Sequence, residues 1–312
     1  MGLMRPLICS RLLQTYNYNI SKYLLIFLLL SPLLPVAVNT SWAQNNNKNT
    51  EVTVNYAYAA QLGFGGYDVG GLSVNIYTLP FNWTFPICVT ERPWQLKVKL
   101  PVRYGHFNFD ERAPDGTKLS ADLDVFSVGA GLELEVPVTS HWSLKPFGTF
   151  GFIEQIYSDV SPAGLEADFP FSYYYTTGLR SLVQYDWRSF TFGLGNGLIY
   201  AANAAFDGSG SESYSAFEAG VDARHPLWFN IGRYQPDANV FFIYYHFLSP
   251  VRFTRFLEEP LEINDQFEFG FSLGFAMPSK IWIFDDPRIG ASYLFDSEGE
   301  LNAFRINFGF PF

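Results

Sequence analysis

The sequence predicts an all-β fold: a transmembrane antiparallel up-and-down β-barrel of about twelve strands, following a cleaved N-terminal segment. Three observations carry the prediction. The first 43 residues are basic and then apolar, the rest of the chain alternates apolar and polar residues with period two, and acids gather in every second connection between the alternating segments.

Of 312 residues, 48% are hydrophobic and 19% aromatic, and only 16% are charged. That excludes disorder and supplies a large apolar surface to bury or to present to lipid. The net charge is −10, with 20 basic against 30 acidic side chains and no basic cluster. A footprint for tracking phosphates is therefore not encoded, and nucleic-acid binding drops out.

Residues 1–43 hold no acid and three bases, Arg5, Arg11 and Lys22; an apolar stretch from Tyr23 to Val38 follows, then Ser41 and Ala43 flanking Trp42. This is the pattern of a signal peptide cleaved after Ala43. A membrane anchor would need roughly 20 unbroken apolar residues, and Pro32 and Pro35 interrupt this shorter stretch. A lipoprotein would need a Cys just behind the apolar run, whereas Cys9 precedes it. Cleavage leaves 17 bases against 30 acids, a net charge of −13, and Cys88 as the one cysteine, so no intramolecular disulfide is expected. Residues 44–51 form a short polar segment, and 52–312 the barrel.

Within 52–312 no stretch sustains helical spacing, and period two is read instead. The first segment puts Val52, Val54, Tyr56, Tyr58, Ala60 and Leu62 on one face. The third opposes Trp94, Leu96, Val98, Leu100, Val102 and Tyr104 to Gln95, Lys97, Lys99 and Arg103; the fourth opposes Phe126, Val128, Ala130, Leu132 and Leu134 to Ser127, Gly129, Gly131, Glu133 and Glu135. Strands are expected near 52–62, 72–83, 94–108, 122–138, 143–157, 171–185, 190–206, 214–226, 239–248, 264–277, 288–295 and 301–312. A soluble sandwich also alternates. The length of these segments, many above ten residues, fits tilted membrane spans better.

With both ends of an even-stranded barrel on the periplasmic side, odd-numbered connections face outward. Those connections hold 15 acids against four bases, Arg112, Lys118, Arg252 and Arg255, while the inward ones hold five acids and four bases. Trp94, Trp142, Trp187, Trp228 and Trp282 fall near inward connections, as an interfacial girdle requires.

The polar faces point into the lumen, and their charges are the candidate site. Lys97 and Lys99 lie near the inward end, as do Glu133 and Glu135 on the neighbouring strand, so they are expected to oppose each other. Arg103, Arg180, Glu218, Asp222, Arg224, Glu268 and Arg305 extend the lining. Two readings stand: a salt-bridged layer that plugs the barrel, as in a structural or accessory protein, or a constriction of a narrow porin-like channel that selects small solutes by charge. Both signs are present, so no ion preference follows.

Catalysis finds little support. His141 and Ser143 have the spacing used by twelve-stranded outer-membrane phospholipases, but they fall on an inward turn and the following residues are Leu144 and Lys145. No enzyme is expected, no metal site is formed around His106, His225 and His246, and no cofactor motif is seen.

The last segment places Phe304, Phe308, Phe310 and Phe312 on one parity, read as lipid-facing. This ending resembles that of Gram-negative outer-membrane proteins, whose terminal aromatic strand is read by the barrel-assembly machinery. The resemblance implies the cell outer membrane as location, and membrane lipids, lipopolysaccharide and that machinery as partners. Pro311 departs from the pattern and costs one ladder bond. Length and strand number further resemble the translocator domain of autotransporters in its solitary form. Full autotransporters fill the lumen with a helix from the passenger, and residues 44–50 are too short to supply one.

Overall fold

The computed structural model describes residues 55–87, 93–112, 115–161, 170–208, 210–232, 234–253, 261–275, 280–281, 284–285 and 288–312. The expected signal peptide, the segment 44–51, Cys88 and Trp282 lie outside the described residues.

The chain opens with a short helix, α1 (Tyr56–Ala59). The wall follows as β1 (Phe64–Val69), β2 (Leu72–Ile87), β3 (Trp94–Arg112), β4 (Lys118–Pro137), β5 (Trp142–Ser161) and β6 (Ser172–Trp187). It continues with β7 (Phe190–Ala205), β8 (Ser211–Pro226), β9 (Pro236–Phe253) and β10 (Leu261–Phe275). β11 (Lys280–Ile281) and β12 (Phe284–Asp285) form a separate two-stranded ribbon, and β13 (Ile289–Phe295) and β14 (Leu301–Asn307) complete the wall. The described wall strands number twelve and form a closed antiparallel barrel, with β1 sealed to β14, Tyr67 opposite Ala303. Tight hairpins set the register where two residues join strands. Gly70 and Gly71 both take positive φ between β1 and β2, and Arg188 does so between β6 and β7, as such turns demand.

We call the end where β1 begins and β14 finishes the inner end, and the opposite end the outer end. Around the inner part of the wall, outward side chains are large, apolar and exposed, among them Leu132, Phe150, Leu194, Val221 and Phe269. Closure pairs each wall strand with two neighbours, β2 beyond Ile76 excepted, and this belt of side chains supplies the apolar exterior: the fold is that of a transmembrane barrel.

Toward the outer end the alternation inverts. On β4, Leu119, Ala121, Leu123 and Val125 are buried inside while Asp122 and Asp124 face outward; on β3, Phe107 and Phe109 are buried opposite outward His106 and Asn108. His106 Nδ1 lies 2.8 Å from Asp124 Oδ1, and Asn108 donates to Asp122 at 2.5 Å, on the outside of the wall. The strands thus run on beyond the apolar belt, and there the barrel holds an apolar core like that of a water-soluble protein.

Two expectations are corrected. Residues 55–62 are not the first wall strand: they enter the barrel as α1 and its continuation, and the wall begins at Phe64. A four-residue helix is unstable alone, so packing decides its form. Nor does the last strand reach residue 312. It ends at Asn307; Gly309, with φ 104°, turns the chain inward. Phe304 (71% exposed) and Phe308 (54%) face outward as expected, but Phe312 (6%) is buried inside beside the partly buried Phe310.

Candidate functional site: the barrel interior

Three layers occupy the interior. The outer layer is the apolar core around α1. Asn55 caps the helix, its side chain accepting from Tyr58 N, and Ala57 N donates to Asn203 Oδ1 of β7 at 3.0 Å. The Tyr58 ring meets Tyr214, Phe247 and Phe253 edge-on at 5.8–6.0 Å, and its hydroxyl donates to Gln266 Oε1 at 2.7 Å. Alanines at 201 and 216 make room for this insert. Between α1 and the wall remains a void of about 20 Å³, bounded by Tyr56, Ala59, Ile76, Phe107 and Val125, room for roughly one water.

The middle layer is charged and almost wholly paired. Lys97 and Lys99 converge on Glu133 at 3.2 and 2.5 Å. Arg180 Nε donates to Glu218 Oε2 at 3.0 Å, across β7. Arg305 holds Glu268 with a fork, Nη2 donating to Oε2 at 2.5 Å and Nε to Oε1 at 3.0 Å, and Tyr245 also donates to Glu268. Arg103 binds the Tyr174 hydroxyl at 3.0 Å. These side chains are mostly out of reach of water, where an ion pair is retained only if hydrogen bonds satisfy both partners.

The inner layer is the tail. Phe312 packs with Leu182, Phe241 and Ile243, with Phe310 beside it. The Arg180 guanidinium lies 5.9 Å from the Phe312 ring, and its Nη1 donates to the Pro311 carbonyl at 3.4 Å. Closer to the inner mouth, Asn239 donates to Asp222 at 2.5 Å, and Arg288 meets Asp237 at 2.6 Å.

Of the lumen residues named from sequence, the structure brings together Lys97, Lys99 and Glu133, Arg180 and Glu218, and Glu268 and Arg305. Glu135 is drawn instead to Lys145 at 3.6 Å, Arg103 finds a tyrosine rather than an acid, and Arg224 faces Asn239 with its Nε unbonded. Sequence reasoning missed Lys145, Asp237 and Arg288. Lys145 and Asp237 carry the inward parity of their strands and were legible by the same rule. The glycines of the inward faces also gain a purpose. Tyr174 lies over Gly129 and Gly151, and Phe241 over Gly270, so that each ring occupies the space of an absent Cβ. His141 sits in a turn, and Ser143 turns its side chain inward, away from the lipid-facing surface that a phospholipase would need.

No protein family and no curated protein matches the sequence. Solved structures do. The β-domain of the Bordetella autotransporter BrkA superposes with a TM-score of 0.50 at 11% identity, over 78% of this chain and 90% of that one. The transport unit of the Escherichia coli autotransporter AIDA-I does so with a TM-score of 0.54 at 13% identity, over 79% and 88%. The fold is that of an autotransporter β-domain. At such identity the likeness concerns the backbone alone, and the contents of this autotransporter-type barrel have to be read from its own residues.

Proposed function

We propose that this chain is an integral outer-membrane barrel of structural or accessory type, closed at rest by its own two ends. The observation that carries this reading is the stack inside the barrel: α1 above, Phe310 and Phe312 below, and a paired charge layer between. Location in the outer membrane is supported by the apolar belt, the autotransporter-type fold and the acidic outer connections. Export through a signal peptide over 1–43, contact with lipopolysaccharide, and reading of Phe304, Phe308, Phe310 and Phe312 by the assembly machinery belong to the same proposal. A non-catalytic role fits the inward Ser143 and the likeness to an autotransporter β-domain and transport unit.

A second reading, the narrow diffusion channel, is favoured by Lys97, whose side chain keeps 39% of its exposure at the charge layer. Single-channel conductance of the refolded protein separates the two. The closed barrel is silent, stays silent as a Lys97→Ala, Lys99→Ala double variant, and conducts when the chain is begun at Gly63 and carries Phe310→Ala with Phe312→Ala, so that α1 and the rings of the tail are both lost. Stable openings in the wild type, altered in ion selectivity by the lysine substitutions, would replace it with the channel.

A further inference from the structure

The wall is incomplete at one seam. β1 pairs with β14 from Phe64 to Val69, but with β2 only from Gly65 to Val69, opposite Ile76 to Leu72. β2 runs on to Ile87, paired with β3 throughout. On its other side, from Tyr77 to Trp83, no strand is registered among the described residues. The Phe64 ring still meets Tyr77 edge-on at 5.4 Å. Before Phe64, however, the chain lies in the lumen, and after Asn307 the other flank turns inward as well. The β11–β12 ribbon lies beside β2 without pairing to it.

Backbone groups without a strand partner are costly in lipid. The two segments that leave the wall carry the alternation this gap requires. Continuing the β1–β2 register puts Leu62 opposite Leu79, Ala60 opposite Phe81 and Tyr58 opposite Trp83. Continuing the β14–β1 register puts Phe308 opposite Leu62, Phe310 opposite Ala60 and Phe312 opposite Tyr58. All of these would share the outward face with Phe64 and Phe304. Gln61 and Ala59 would turn inward beside Thr78 and Asn82, and Thr78 Oγ1 is buried without a hydrogen-bond partner in the present arrangement.

The seam is also weakened by proline. Pro80 stands opposite Pro101, which costs fewest ladder bonds where the pair is not a hydrogen-bonded one. Whichever side it would have faced, Pro80 brings no N–H to the ladder.

We propose that residues 55–63 and 309–312 have two stations. In one they fill the lumen; in the other they prolong β1 and β14 to the inner end, complete the wall against β2, and leave the lumen open. Lipid chains are as apolar as a protein core, so Phe310 and Phe312 suit either place, and Tyr58, opposite Trp83 near the inner end, exchanges Gln266 for the membrane interface that tyrosine favours. The proposal rests on the closed-barrel reading above and adds a way out of it.

Disulfides distinguish the stations in a chain beginning at Gln44 with Cys88→Ser. Ala57→Cys with Asn203→Cys ties the helix to the lumen, since Ala57 N and Asn203 Oδ1 lie 3.0 Å apart; Ala60→Cys with Phe81→Cys ties the wall extension. Each is refolded into lipid vesicles, checked for the heat-dependent gel migration of a folded barrel, and oxidised. Both bridges form on the proposal, the first silent in a planar bilayer and the second conducting until reduced. Failure of the Ala60–Phe81 bridge while the wild type stays silent would overturn the second station and leave the closed barrel standing. Current through a barrel carrying the Ala57–Asn203 bridge would overturn the closed reading itself. Gly309→Val, strained at a φ of 104°, gives a cysteine-free check: openings appear where the wild type shows none, and an unchanged silent barrel counts against the two stations.

Discussion

The ring of Phe312 fills the space that a Cβ on Gly195 would take. The strand β7 keeps glycine there because the tail folds back onto it, and Gly220 on β8 borders the same ring. Gly195→Val should therefore overpack this site and destabilise the barrel by roughly 1 to 3 kcal/mol. Phe312→Ala alone leaves a cavity and should cost roughly 3 to 5 kcal/mol, whereas adding Phe312→Ala to Gly195→Val should cost much less than the sum. Urea unfolding of the four proteins in lipid measures the coupling, and strict additivity would mean that the two residues do not touch.

Arg305 and Glu268 form a buried fork, and Glu268 is fully enclosed. Removing the acid strands the guanidinium, so Glu268→Ala should destabilise by about 3 to 5 kcal/mol. Replacing both, Glu268→Leu with Arg305→Met, should recover most of that loss. A double variant as unstable as Glu268→Ala would show that the cost lies in packing rather than in the abandoned charge.

The inversion of the alternation on β4 predicts position-dependent tolerance. Leu132, 52% exposed on the belt, should lose roughly 2 to 4 kcal/mol as Leu132→Lys. Asp122 faces outward nearer the outer end, where Asp122→Lys gives up the hydrogen bond from Asn108 and should cost no more than about 0.5 to 1.5 kcal/mol. Leu123→Lys, one residue on and wholly buried, should prevent folding or cost more than either. Equal penalties at Leu132 and Asp122 would place the edge of the belt elsewhere.

The helix is anchored by Asn203, which accepts from Ala57 N inside the apolar core. Asn203→Ala leaves that N–H without its partner, a loss of about 1 to 3 kcal/mol. Brief openings should then appear in bilayer recordings. Continued silence would mean that the aromatic contacts of Tyr58 alone hold α1 in place.

Much of this was open to reading in advance. Eleven of the expected strands lie where wall strands are found, and the expected opposition of Lys97 and Lys99 to Glu133 is present in the register, Lys97 across from Glu133. The segment 55–62 was misread because Tyr56-Ala57-Tyr58-Ala59 writes a strand pattern as well as a helix whose every face is buried. Asn55, a helix cap, was the one contrary signal. The ending was misread for a similar reason: parity places Phe310 and Phe312 with Phe304, and nothing local except Gly309 announces that the strand stops.

By itself, then, the sequence determined the alternation of the wall, eleven of its strands and its asymmetric charge, because strand faces follow from a two-residue period and turns from glycine and short polar runs; β1 lay unread between two expected strands. Tertiary structure alone decided what fills the barrel. An aromatic side chain is equally at ease in lipid and in an apolar lumen. Which it occupies depends on the residues that meet it across the barrel, the glycines beneath Phe312 and Tyr174 and the alanines around α1, all distant in the chain.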